Sequence, residues 1–94
     1  YTQNKSNSQL ASAYYYSGLS AGHLNDFNAG IVDLEKSVEY NNQSWEAYRF
    51  LGMAYGNIGL WKKAVLSFEN AARINNSQQI KNDLEIAKQN AAKF

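Results

Sequence analysis

Residues Tyr48 to Asn75 read YRFLGMAYGNIGLWKKAVLSFENAARIN. Apolar residues recur through the stretch at helical spacing, yet Gly52, Gly56 and Gly59 interrupt its first half. A glycine inside a helix costs about 1 kcal/mol relative to alanine. Such a cluster melts a helix unless packing or a turn requires it, so the role of these glycines decides the fold.

The stretch has a counterpart 34 residues earlier. In that register Tyr14 meets Tyr48, Gly18 meets Gly52, Gly22 meets Gly56, and Glu35 meets Glu69. Gln9 meets Gln43, and Asn41-Asn42 meets Asn75-Asn76. Similar residues extend the match: Leu19 with Met53, Leu24 with Ile58, Phe27 with Trp61, Ile31 with Val65, and Leu34 with Phe68. This many pairings in one register imply a duplicated unit, with copies at 11–44 and 45–78.

Each copy divides into two helical patterns. In the second, Tyr48, Leu51, Met53, Ala54 and Tyr55 predict a first helix that ends at a turn on Gly59. Trp61, Ala64, Val65, Phe68, Ala71 and Ala72 then recur at i, i+3, i+4 and i+7, as an amphipathic second helix requires. The first copy predicts a helix from Leu10 to about His23, a turn at Asn25-Asp26, and a helix from Phe27 to Tyr40. Ser6 with Gln9, and Asn76 with Gln79, have the form of capping boxes, and Gly59 suits a C′ position. Residues 79–94 carry one apolar stripe, Ile80, Leu84, Ala87 and Ala91, opposite Lys81, Glu85, Lys88 and Gln89. A helix with one apolar and one solvated face closes a stack of repeats. No period-2 alternation marks a strand, so the fold class is all-α.

Composition agrees with one small domain over 1–94. The hydrophobic share of 45% and aromatic share of 14% suffice for a core. With 18% charged residues and a net charge of +1, nothing marks a nucleic-acid or membrane-surface partner. No apolar run approaches the roughly 18 residues of a membrane span, so no membrane insertion is expected. There is no cysteine, which excludes disulfides and cysteine-ligated metals and leaves the compartment open. The chain opens at Tyr1, which suggests a domain excised from a longer protein or a processed product.

A 34-residue helix–turn–helix carrying aromatic-x2-Leu-Gly-x2-Tyr and then Ala-x3-Phe resembles the tetratricopeptide repeat. The second copy supplies the pattern as Tyr48, Leu51, Gly52, Tyr55, Ala64 and Phe68; the first is more degenerate, with Tyr14, Ser17, Gly18, Ala21, Gly30 and Leu34. The proline common near the end of such repeats is replaced by Asn42 and Asn76. The resemblance implies a right-handed solenoid of five helices, two repeats and a capping helix. Gly18 and Gly52 would let the two helices of each repeat approach, with Gly30 or Ala64 as the small partner, while Gly22 and Gly56 serve the turns or, as an alternative, keep the groove floor low for an approaching backbone.

Catalytic chemistry has little to rest on. His23 is the only histidine, no serine sits in a G-x-S-x-G context, and the glycines form no phosphate loop. No cofactor or metal is expected, and His23 suits a helix C-terminus. Asn-x-Ser sequons begin at Asn4, Asn42 and Asn75, a pattern an asparagine-rich chain produces readily.

The resemblance points instead to a non-catalytic module that binds a peptide or partner segment in the concave groove of the first helices. It would line that groove with ladders spaced by 34: Ser12–Glu46–Ile80, Tyr15–Arg49–Asp83, Tyr16–Phe50–Leu84 and Leu19–Met53–Ala87. The basic and asparagine residues by which some family members clamp a C-terminal carboxylate are missing from these places. The candidate partner-binding residues are therefore Tyr15, Tyr16, Leu19, Arg49, Phe50, Met53 and Asp83, types common at interfaces. Tyr16, Phe50 and Leu84 could equally pack between neighbouring first helices, leaving Tyr15, Leu19 and Met53 as the exposed set. Arg49 could serve a partner carboxylate or pair with Asp83 across adjacent helices. The alternative function is structural, a module that stacks on neighbouring repeats or forms a homodimer.

Overall fold

A computed structural model describes residues 6–93, so the sequon at Asn4 lies outside the described residues. Five helices follow in order: α1 (Asn7–His23), α2 (Phe27–Tyr40), α3 (Trp45–Asn57), α4 (Trp61–Ile74) and α5 (Gln78–Lys93). No strand occurs among the described residues. Each helix packs on the one that follows it, and α1 also touches α3. The result is an elongated all-α stack measuring 54 × 27 × 17 Å.

The two helical hairpins turn by the same device. Asn25 (φ 61°) and Gly59 (φ 82°) both occupy the left-handed region one residue beyond the C-cap. Asp26 N–H donates to the Ala21 carbonyl at 2.8 Å and Leu60 N–H to the Tyr55 carbonyl at 2.9 Å, the long bond of a Schellman motif. The C′ amides, Asn25 and Gly59, donate to the carbonyls of Gly22 and Gly56 at 3.0 and 3.1 Å. Gly59 thus ends α3 as expected.

Three helix starts follow serines, while Asp26 caps α2 and α4 has no side-chain cap. Ser6 and Gln9 form a reciprocal capping box, which starts α1 at Asn7, a turn earlier than the Leu10 read from the apolar pattern. Ser44 Oγ accepts from Ala47 N–H at 3.3 Å to start α3. At α5 the expected box on Asn76 and Gln79 is replaced by Ser77, whose Oγ accepts from Ile80 N–H at 3.3 Å.

That difference of one residue matters. The capping serines of α3 and α5 are 33 apart, not 34, because three residues join α4 to α5 where four join α2 to α3. A one-residue offset turns a helix by about 100°. In the corrected register Ile80, Leu84 and Ala87 match Ala47, Leu51 and Ala54, which are buried. Accordingly Ile80 and Ala87, expected in the groove, are 1% and 0% exposed against α4 and the core.

The core holds Ile31, Leu34, Ala47, Leu51, Tyr55, Ala64 and Phe68, with Phe27, Trp61 and Val65 packed against it. The glycines are notches in this core. A Cβ on Gly52 would lie 2.9 Å from the tip of the Phe68 ring, and one on Gly18 would lie 2.7 Å from Leu34 Cγ. The large partner, Phe68 or Leu34, fills each notch, while Gly30 lies close by with its carbonyl 3.2 Å from a Cβ on Gly18. Gly56 does more than serve the turn: a Cβ there would meet Trp61 Cζ3 at 2.8 Å. Gly22 has nothing so close.

Both ends of the stack are polar. The α3 face formed by Ala47, Leu51 and Ala54 is buried, whereas its equivalent on α1, Ala13, Ser17 and Ser20, is exposed. Ser17 donates instead to Asp33 at 2.7 Å. At the other end Lys81, Glu85, Lys88 and Gln89 of α5 are all exposed.

Candidate functional site

Two repeat-related clefts open along the side of the stack that α1, α3 and α5 line, here termed the inner face. In the first, of about 200 Å³, Gly18 and Gly22 form the floor, Phe27 and Leu34 the back, and Leu19, Phe50 and Met53 the walls. In the second, of about 380 Å³, Gly52 and Gly56 form the floor, Trp61 and Phe68 the back, and Met53, Asp83 and Ile86 the walls. Floor and back correspond at a spacing of 34; the outer walls, Phe50 and Met53 against Asp83 and Ile86, correspond at 33. Met53 lines both clefts and forms the partition between them. Its unbranched thioether adapts readily to different neighbours.

The candidate residues occupy different depths. Tyr16 is 65% exposed and Met53 39%, whereas Tyr15, Leu19 and Phe50 are half-buried. Tyr15 is thus less exposed, and Tyr16 more so, than expected. The Tyr15 ring meets Phe50 edge-on at 6.1 Å and Tyr16 edge-on at 5.2 Å, an aromatic cluster of which only Phe50 lines a cleft. Burial raises the Tyr15 hydroxyl above its ordinary value, with smaller contributions from Glu46 and Tyr16. Leu84 does pack against the core, as one of the two expected arrangements had it.

Arg49 and Asp83 pair, with Arg49 Nε donating to Asp83 Oδ2 at 3.0 Å. In the corrected register this bond repeats the Tyr15–Phe50 contact one step along the stack, an ion pair replacing two rings. The Arg49 guanidinium also lies over the Phe50 ring at 5.9 Å. Both side chains keep some exposure, 19% and 25%. Arg49 is therefore engaged within the chain rather than offered as a bare cation. His23, the residue at the end of α1, is exposed at the rim of the first cleft.

A sequence signal for the second cleft existed. The sequons at Asn42 and Asn75 are 33 apart, and each ends in the serine that caps the next helix. That spacing places Asp83 and Ile86 on the inner face; Ile86 is 53% exposed and was missed by the ladders of 34. Among the described residues no three His, Asp or Glu side chains gather so as to hold a metal ion. No described helix is long and apolar enough to cross a membrane.

Solved structures share this arrangement. A crystal structure of MamA protein aligns with a TM-score of 0.83 and 24% identity, over 87% of this chain and 45% of that one. A second MamA crystal structure gives 0.82 and 24%, over 87% and 48%. The N-terminal domain of stress-induced protein-1 (STI-1) from C. elegans gives 0.66 and 21%, over 93% and 83%. These are tetratricopeptide-containing proteins. The chain has the tetratricopeptide-repeat fold. It spans about half the length of the MamA chains. No protein-family model and no curated protein sequence matches it. Within the tetratricopeptide fold, the helix pairs α1–α2 and α3–α4 are the repeating units, and the clefts fall between successive first helices.

Proposed function

We propose that this chain is a protein-interaction module that receives a segment of a partner protein along the inner face of α1, α3 and α5. The observation that carries the reading is the pair of repeat-related clefts that share Met53. Each has an apolar floor and back, as a pocket for a partner side chain needs, and exposed Met53 lines both, joined by exposed Ile86 in the second. Docking, with no covalent step, is the mechanism: partner side chains displace water from apolar walls that the fold has already assembled.

The structural alternative, end-to-end stacking on further repeats or on a second copy, has less support. An end that accepts another repeat would present apolar residues, but α5 presents Lys81, Glu85, Lys88 and Gln89, and α1 presents Ser17 and Ser20. Burying such groups without partners costs free energy.

The test compares wild type with a Leu19→Ala/Met53→Ala variant on an array of partner-derived peptides, with circular dichroism to verify the fold. Loss of most binding by the folded variant is expected. Unchanged binding across the array would refute the inner-face reading.

A further inference from the structure

Resting on that reading, we infer that the segment received by the inner face is basic as well as apolar: two bulky apolar residues about three positions apart, flanked by lysine or arginine.

The apolar half follows from the clefts. Phe27 and Leu34 back one cleft and Trp61 and Phe68 the other, with Met53 between them and Ile86 on the outer wall of the second. Neither presents a dense set of hydrogen-bonding groups, so each suits an aliphatic or aromatic side chain. The two clefts lie on either side of one helix, α3, so their centres are one helix diameter, about 10 Å, apart. An extended chain advances about 3.3 Å per residue, so side chains that enter neighbouring clefts are about three residues apart.

The basic half follows from the charges on the same face. Among the described residues Asp83 lines the second cleft, Arg49 pairs with it, and Glu46 of α3 acts on Tyr15 beside the first. Arg49 and Asp83 neutralise each other through a single bond from Nε to Oδ2. A carboxylate has room for further donors, so Asp83, which lines the second cleft, can still accept from an incoming cation. Glu46 is exposed on the first turn of α3 and has no ion-pair partner among the described residues. Its field reaches the aromatic cluster at Tyr15. Counting Asp, Glu, Lys and Arg among the described residues, these three groups sum to −1 on a chain whose total is +1, with the arginine already paired. A partner carboxylate could still reach the free NH2 groups of Arg49, but it would be repelled by Glu46 and Asp83, which together outweigh that single cation. A lysine or arginine meets Glu46 and the open side of Asp83 without displacing anything.

The experiment uses three capped synthetic hexapeptides on the full chain, followed by amide chemical shifts and by fluorescence anisotropy. Each has leucine and phenylalanine three positions apart; the flanking residues are lysine in the first, glutamate in the second and serine in the third. The lysine peptide should shift the resonances of Leu19, Met53 and Ile86. It should bind about tenfold more tightly than the glutamate peptide, a gap that narrows as salt is raised. Glu46→Gln should reduce the lysine-over-glutamate ratio several-fold while leaving the serine peptide unaffected. Equal affinity of the lysine and glutamate peptides, or an unchanged ratio in Glu46→Gln, overturns the basic preference and leaves the groove reading standing. If no peptide perturbs the inner-face resonances, the groove reading falls and takes this inference with it. Concentration-dependent shifts at Met53 and Ile86 without peptide would identify a second copy as the occupant and overturn the proposal.

Discussion

Gly52→Ala should destabilise the protein although alanine is the better helix former. The new Cβ would sit 2.9 Å from Cε1, Cε2 and Cζ of Phe68, whereas carbon atoms prefer about 3.5–4.0 Å. Phe68 is 3% exposed, so its ring can retreat only by disturbing the core. Overpacking of this kind costs about 1–3 kcal/mol, and the gain in helix propensity returns about 1. The net loss is about 1 kcal/mol, which lowers the melting temperature by about 4–8 °C in a domain this size. Gly22→Ala is the control, because nothing lies within 4 Å of its added Cβ; there propensity alone acts, and stability should rise by about 0.5–1 kcal/mol. Thermal and urea unfolding followed by far-UV circular dichroism measure both. Phe68→Val completes the cycle, since valine lacks the Cε and Cζ atoms that make the clash. On that background Gly52→Ala should change sign and stabilise, a coupling of about 2 kcal/mol with wild type. If Gly52→Ala behaves alike on both backgrounds, or moves in the same direction as Gly22→Ala, the notch account of Gly52 is wrong.

Two further outcomes follow from single side chains. Tyr55 is buried and its hydroxyl donates to Glu35; burial first, then that hydrogen bond and the Glu35 charge, hold its pKa well above the ordinary 10.0. The fold favours the protonated phenol, so the unfolded chain releases this proton first and stability should fall as pH rises above 10. Tyr55→Phe should cost about 1 kcal/mol at neutral pH and flatten the alkaline limb of a stability–pH curve. Ser37 is buried and donates to the Ala11 carbonyl at 2.8 Å, tying α2 to α1. Ser37→Ala should lower the urea midpoint by an amount equivalent to about 1 kcal/mol, and an unchanged midpoint would deny that bond a role in stability.

Much of the helical framework was legible residue by residue. The period of 34, the glycine at C′ and the 3.6-residue apolar stripes each express a local requirement, so they appear in the sequence as plainly as in the coordinates. The inner face was legible only in part. Leu19, Phe50 and Met53 gather at the first cleft because the register of 34 holds through α1, α2, α3 and α4. Ile80 and Ala87 were misplaced because an apolar stripe shows that one face of α5 is buried, and not against which neighbour. Tyr15 and Tyr16, adjacent and chemically alike, could not be ranked for exposure without the Phe50 ring that covers one of them.

By itself, then, the sequence determined which segments are helical, where most of them start and stop, and that Gly18 and Gly52 are sites of close helix approach. Those features depend on spacings within a turn or a hairpin, where one residue constrains the next directly. Only the tertiary structure decided that Leu34 and Phe68, not the expected Gly30 and Ala64, press closest on Gly18 and Gly52. It alone decided the angular setting of α5, the pairing of Arg49 with Asp83, and the place of Met53 as the partition between two clefts. A link one residue shorter turns a whole helix by about 100°. The direction in which its side chains then point is set by the helix it packs against, not by its own periodicity.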